Sequence, residues 1–202
     1  DGVPSDLLSK DPQRVLVWGA DSPKFELNDT VPLSRSIDIN LRGTHEFWIV
    51  PVDGVIDMSF VLQDANRARA GTQNVSAFVL RKGSEIILTE PVSVSGSLDA
   101  KMSQPFTKRI FASGLSSGIY RLTFQSDDDF FIRHIESSMR RWVVGPRFYA
   151  GDSVGYKEGQ ASTTWLTNSQ HITAEVRHAD SLQTISFGAL RQPIERTHTV
   201  YA

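Results

Sequence analysis

Apolar and polar side chains alternate with a period of two through almost every readable segment of this chain, a pattern that leaves little room for anything but β-strands. In 36–42, Ile37, Ile39 and Leu41 would face a core while Asp38, Asn40 and Arg42 face water. The same rhythm places Ile56, Met58, Phe60 and Leu62 opposite Asp57, Ser59 and Gln63, and Tyr120, Leu122 and Phe124 opposite Arg121, Thr123 and Gln125. A fourth run sets Ile172, Ala174 and Val176 against His171, Thr173, Glu175 and Arg177. Almost no segment shows the 3.6-residue period of an amphipathic helix, although 64–71 could hold one helical turn.

Turn chemistry separates these runs. Arg42-Gly43, Asp53-Gly54, Lys82-Gly83, Ser113-Gly114, Ser117-Gly118 and Asp127 to Asp129 punctuate strands expected over 36–41, 44–50, 55–63, 75–81, 85–90, 107–112, 118–125 and 130–137. Asp53-Gly54, lying between two apolar strands, signals a hairpin. Spacing near ten residues per strand predicts an all-β antiparallel sandwich, immunoglobulin-like or jelly-roll.

Three regions follow. Residues 1–35 hold Pro4, Pro12, Pro23, Pro32 and one apolar burst, Val15 to Trp18, which predicts an extended arm carrying a single strand. Such an arm covers its own fold or adds a strand to the open sheet edge of a neighbour. Residues 36–138 form the sandwich, interrupted by longer loops at 64–73 and 92–104. Residues 139–202 are richer in aromatics, with strands expected over 141–144, 163–167, 172–176, 183–187 and 197–201, and either complete the sandwich or make a small second unit.

Composition excludes several functions. With 202 residues and no cysteine, the chain has a core's worth of length and no disulfide framework, thiolate metal site or cysteine nucleophile. A net charge of −2, from 21 basic and 23 acidic residues, supplies no field to gather nucleic acid. The apolar runs fall far short of the roughly 20 residues of a membrane helix, so no membrane span is expected. The chain opens on Asp1 rather than Met, as either a processed product or an excised fragment would, and the processed reading gives an expectation of export, with an extracellular or cell-surface location.

The candidate chemistry is sparse. Trp142, Tyr149, Tyr156 and Trp165 form an aromatic group able to stack on the apolar faces of sugar rings, provided that they are exposed; core packing is the alternative. Asp127, Asp128 and Asp129 make a loop whose oxygens suit calcium, against a plain solvated turn. Gly151-Asp152-Ser153-Val154 resembles the nucleophile block of GDSL esterases but lacks the family's aspartate three positions before a histidine; Glu195 precedes His198 instead. The histidines His45, His134, His171, His178 and His198 have no helical ligand spacing. Glu46, Asp57, Glu136 and Glu175 are dispersed carboxylates whose separations are not readable from sequence. No catalytic residue is assigned, and no cofactor beyond the calcium candidate.

The segments Ile37-Asp38-Ile39-Asn40-Leu41-Arg42-Gly43-Thr44-His45-Glu46-Phe47, Leu62-Gln63-Asp64-Ala65-Asn66-Arg67 and Gly118-Ile119-Tyr120-Arg121-Leu122 resemble uncharacterised exported bacterial β-sandwich proteins. The Gly-x-Tyr-x-Leu piece is also similar to bacterial immunoglobulin-like surface domains, where glycine turns the corner and tyrosine anchors the strand. The resemblance implies export and a sandwich, and brings no site residues.

The expectation is therefore a non-enzymatic extracellular or cell-surface structural protein, assembling with itself or another surface protein through sheet edges and the N-terminal arm. A carbohydrate-binding module that takes polysaccharide on the aromatic group is the alternative, and a glycoside hydrolase or other hydrolase the second.

Overall fold

A computed structural model describes residues 15–17, 35–64, 76–93, 103–127, 130–139, 142–145, 165–167, 171–175, 183–187, 190–194 and 197–201. Every regular element among them is a strand. In chain order these are β1 (Val15–Val17), β2 (Arg35–Arg42), β3 (His45–Ile49), β4 (Ile56–Asp64), β5 (Ser76–Lys82), β6 (Glu85–Val92), β7 (Phe106–Ala112) and β8 (Tyr120–Gln125). They continue as β9 (Phe130–Ser137), β10 (Trp142–Val144), β11 (Trp165–Thr167), β12 (His171–Glu175), β13 (Gln183–Phe187), β14 (Leu190–Ile194) and β15 (Thr197–Tyr201).

Two sheets make the sandwich. The smaller has the order β2-β9-β4-β7 and the larger β11-β1-β10-β3-β8-β5-β6. The antiparallel pairs β5/β6, β4/β7, β3/β8 and β2/β9 nest inside one another, and β5/β8 and β4/β9 join them side by side. Of the links between β2 and β9, β5 to β6 alone returns within its own sheet; the others cross the sandwich. This nesting is the jelly roll, two Greek keys wound together, and it decides between the two expected sandwich types. Beyond it, β10 extends the larger sheet antiparallel to β3, and β1 lies parallel to both β10 and β11. Two separate antiparallel pairs, β12/β15 and β13/β14, account for the remaining strands. Strand β14 carries Pro193 and no alternating pattern, so the sequence does not announce it.

The alternating residues fill the space between the sheets. Ile37, Leu41, Phe47, Ile49, Ile56, Met58, Phe60, Leu62, Leu122 and Ile135 are all buried. An aromatic chain threads this core, with centroid separations of 5.8 Å for Trp142–Phe47, 5.5 Å for Phe47–Phe60, 4.6 Å for Phe60–Phe78, 4.6 Å for Phe78–Phe124 and 5.9 Å for Phe124–Phe130. Each buried phenylalanine contributes about 1.5–3 kcal/mol of transfer free energy, so the rings drawn from both sheets hold the layers together. Tyr120 is buried, as its position after Gly118 predicts, and its hydroxyl donates to the Ser116 carbonyl at 3.0 Å.

One hairpin expectation is corrected. The Asp53-Gly54 turn does form, with φ of 51° and 71° and reciprocal Val52–Val55 bonds of 3.0 and 2.9 Å. The strands it joins then diverge, β3 into the larger sheet and β4 into the smaller. Turn chemistry fixes a local reversal of the chain, not which sheet each arm joins.

Candidate functional site

The polar alternate residues of the smaller sheet make its outer face. Register places Ser36 beside Glu136, Glu136 beside Ser59, and Ser59 beside Arg109, one row across four strands. In the next row Asp57 lies beside Phe111, and the Ser138 N–H donates to the Asp57 carbonyl at 3.0 Å. Together with Ser137 these residues, Phe111 apart, line an open groove of about 450 Å³.

Two of the three charged residues in this groove are matched to each other. Arg109 donates through Nε and Nη2 to the two Asp57 oxygens, at 2.8 Å each, and its guanidinium sits 5.1 Å from the Phe111 ring centroid. The bonded guanidinium holds the Asp57 carboxyl below its ordinary value, with partial burial opposing, and Asp57 in turn raises Arg109. General acid catalysis needs a carboxyl shifted the other way, so Asp57 is unsuited to it at neutral pH. Glu136 shares the groove, whereas Glu46 lies on the larger sheet.

A serine, a histidine and a carboxylate also meet on this face. His134 Nε2 is 3.1 Å from Ser36 Oγ and 3.5 Å from Glu136 Oε1. Both contacts address the same ring nitrogen. A nucleophile relay places the acid on the ring nitrogen opposite the nucleophile, where it fixes the tautomer, and Glu136 is not so placed. The alternation marks Asp57 and Ser59 as outward-facing; that Arg109, His134 and Ser36 join them is set by strand pairing alone.

The sequence-predicted aromatic group is not a surface platform at Trp142. That side chain is 4% exposed and packs edge-on to Phe47, with no hydrogen-bond partner at its buried Nε1 among the described residues. Position 142 starts β10, which lies against β3, and this turns the indole into the core. Trp165 begins β11, its backbone in register with Val15; Tyr149, Tyr156 and the Ser153 block lie outside the described residues. Asp127 is half-buried, and its carbonyl accepts from Phe130 N at 3.4 Å and Ser126 Oγ at 3.2 Å. Asp128 and Asp129 are outside the described residues, among which no group of three His, Asp or Glu could hold a metal. His45 is buried and its Nδ1 donates to the Gly43 carbonyl at 3.1 Å. No helix among the described residues is long and apolar enough to cross a membrane.

The sheet edges differ in character. Strands β6 and β7 end the two sheets, and from them Glu90 and Lys108, in register with the core residues Phe78 and Phe60, meet at 2.8 Å. Pro91 removes a backbone donor from β6, and Ile87 is an extra, unpaired residue between Leu88 and Ile86. Inward charges, proline and a bulge are the features by which edge strands resist pairing. They guard this rim although Ile86 and Phe111 are 53% and 50% exposed. The arm strand β1 has the opposite character: it is paired on both sides, with Val17 in register with Val144 and Val15, Leu16 and Val17 with Trp165, Leu166 and Thr167.

No family model matches the sequence, and no curated protein matches it. Among solved structures the chain is similar to a pentameric capsid protein isolated from metagenomic phage sequences, in two crystal structures, each at 15% identity and a TM-score of 0.30. The alignments cover 56% of this chain in both cases, and 64% and 62% of the capsid chains, less than two thirds of their length. It is also similar to dimeric latent PorU from Porphyromonas gingivalis, at 18% identity and a TM-score of 0.27, over 54% of this chain and 10% of that one.

Proposed function

We propose that this protein is a non-enzymatic structural subunit that assembles with copies of itself, and that the arm strand β1 links the copies. The observation that carries this reading is the seat of β1 in the larger sheet. It is a three-residue strand inserted between β10 and β11, parallel to both. Seventeen residues, 18–34, separate it from β2. Fully extended, a segment of that length spans roughly 55–60 Å, well beyond the width of a small domain. The same pairings therefore form equally well with the β1 of a neighbour, and exchange of an identical element is a low-cost route to assembly. The guarded β6–β7 rim supports this reading by steering association away from the opposite side of the sandwich. The Asp57–Arg109 pair of the polar groove, with its lowered carboxyl, gives no competing reason to read the groove as a reaction centre.

The absence of cysteine allows a clean test. Chains carrying Val17→Cys and differently sized chains carrying Val144→Cys are mixed, refolded and oxidised, and their mass is followed by light scattering. Exchange gives a covalent heterodimer, and removal of residues 1–34 dissolves the assemblies. A monomer of unchanged mass with and without the arm, and no heterodimer, would overturn the proposal.

A further inference from the structure

The polar groove of the smaller sheet has more hydrogen-bonding capacity than its own contacts use. Arg109 commits only its Nε and one Nη2 hydrogen to Asp57, and each Asp57 oxygen accepts one of these bonds. The other guanidinium N–H groups, and a second lone pair on each carboxylate oxygen, stay available to a ligand. The two-point bond fixes both side chains at 2.8 Å while leaving them 60% and 29% exposed. Register sets Ser59 between Arg109 and Glu136, and all of these residues line the same groove of about 450 Å³. The Glu136 side chain is 64% exposed. Phe111 is the register partner of Asp57, and the Arg109 guanidinium stands over its ring, 5.1 Å from the centroid. Even so, Phe111 is 50% exposed, which sets an apolar ring beside the polar groups.

These features select the chemistry of a ligand. The charges of Asp57 and Arg109 cancel, so the pair offers an ion little Coulombic gain, yet it presents acceptors and donors side by side on paired strands. A hydroxyl group both donates and accepts, and so matches such an array. A sugar ring carries several hydroxyls together with an apolar C–H face suited to an aromatic side chain. We infer that this groove is a binding site for a neutral saccharide, whose hydroxyls bond Asp57, Arg109 and Ser59 and whose C–H face packs against Phe111. Glu136 accepts from a further hydroxyl and, because Arg109 does not neutralise it, repels uronate and sulfate groups. The volume falls within the roughly 300–1,000 Å³ of small-molecule sites, and the open form suits an oligosaccharide laid across the strands. The site uses none of the aromatics that the sequence singles out. It lies on the opposite sheet from β1 and does not depend on the assembly role of that strand.

The full chain is applied to an array of neutral oligosaccharides of glucose, mannose and galactose, with oligogalacturonate as the acidic counterpart, and each retained glycan is then titrated by calorimetry. At least one neutral oligosaccharide binds, and the oligogalacturonate binds more weakly. Phe111→Ala weakens the neutral glycan by about tenfold, the loss of one ring contact. Ile86→Ala removes an equally exposed apolar side chain from the larger sheet and leaves binding unchanged. Thermal melting of both variants confirms that each is folded. Glu136→Gln separates a role in recognition from a role in folding: it keeps the neutral glycan and gains affinity for oligogalacturonate, which a merely destabilised protein would not do. Retention of no neutral glycan, unchanged binding by folded Phe111→Ala, or a preference of the unmodified protein for oligogalacturonate would overturn the inference.

Discussion

The turn between β3 and β4 offers a sharp test of how the sandwich is closed. Gly54 has φ of +71°, and a Cβ added there would stand 2.9 Å from the Leu115 carbonyl oxygen. The Leu115 N–H also donates to the Gly54 carbonyl at 2.9 Å, so two turns remote in sequence press together at this point. Gly83 has a similar φ of +58°, but its added Cβ would meet nothing within 4 Å. Gly83→Ala therefore carries only the left-handed backbone cost, about 1 kcal/mol. Gly54→Ala carries that cost and must also shift Leu115, losing a hydrogen bond with a net value of about 0.5–1.5 kcal/mol along with some packing. The expected total is about 2–3 kcal/mol. Urea unfolding of both variants gives the difference, and the midpoint separates the two if the slopes match. Equal destabilisation of the two variants would refute the close approach of Leu115 to Gly54, and with it the closure of the sandwich at this end.

Three further outcomes are expected. Replacing the guarding pair by Lys108→Leu with Glu90→Leu leaves the fold intact and raises the mass seen by light scattering, because the rim loses its inward charges; Lys108→Ala alone costs no more than about 1 kcal/mol, given the partial exposure of the pair. Since Arg109 lowers the folded-state carboxyl of Asp57, its stabilising contribution is present above the unfolded value near 3.8 and is lost as pH falls through the depressed folded value. Asp57→Asn should flatten the acid limb of stability measured by urea unfolding as pH falls below about 4, and an unchanged slope there would count against the ion pair. Trp142→Phe should cost less than about 1.5 kcal/mol, because the lost ring volume is offset by removing an N–H with no partner, whereas Trp142→Ala should cost about 3–5 kcal/mol; similar costs for both would show that the indole N–H is satisfied.

What the sequence determined by itself is local. Period-two alternation follows from the geometry of a single strand, so Ile56, Met58, Phe60 and Leu62 declare a core face before any partner is known, and all four are buried. Asp53-Gly54 likewise dictates its own backbone, with positive φ at both residues. The jelly-roll winding, by contrast, rests on pairings between strands far apart in the chain, such as β2 with β9, where Ser36 and His134 meet across 98 residues. No local pattern encodes a partner at that distance. The same limit explains Trp142, whose aromatic neighbours in sequence suggest a surface while its partner β3 draws it into the core. It also explains the polar groove: alternation says only that Ser59 faces outward. Strand register alone decides that Arg109 completes the groove.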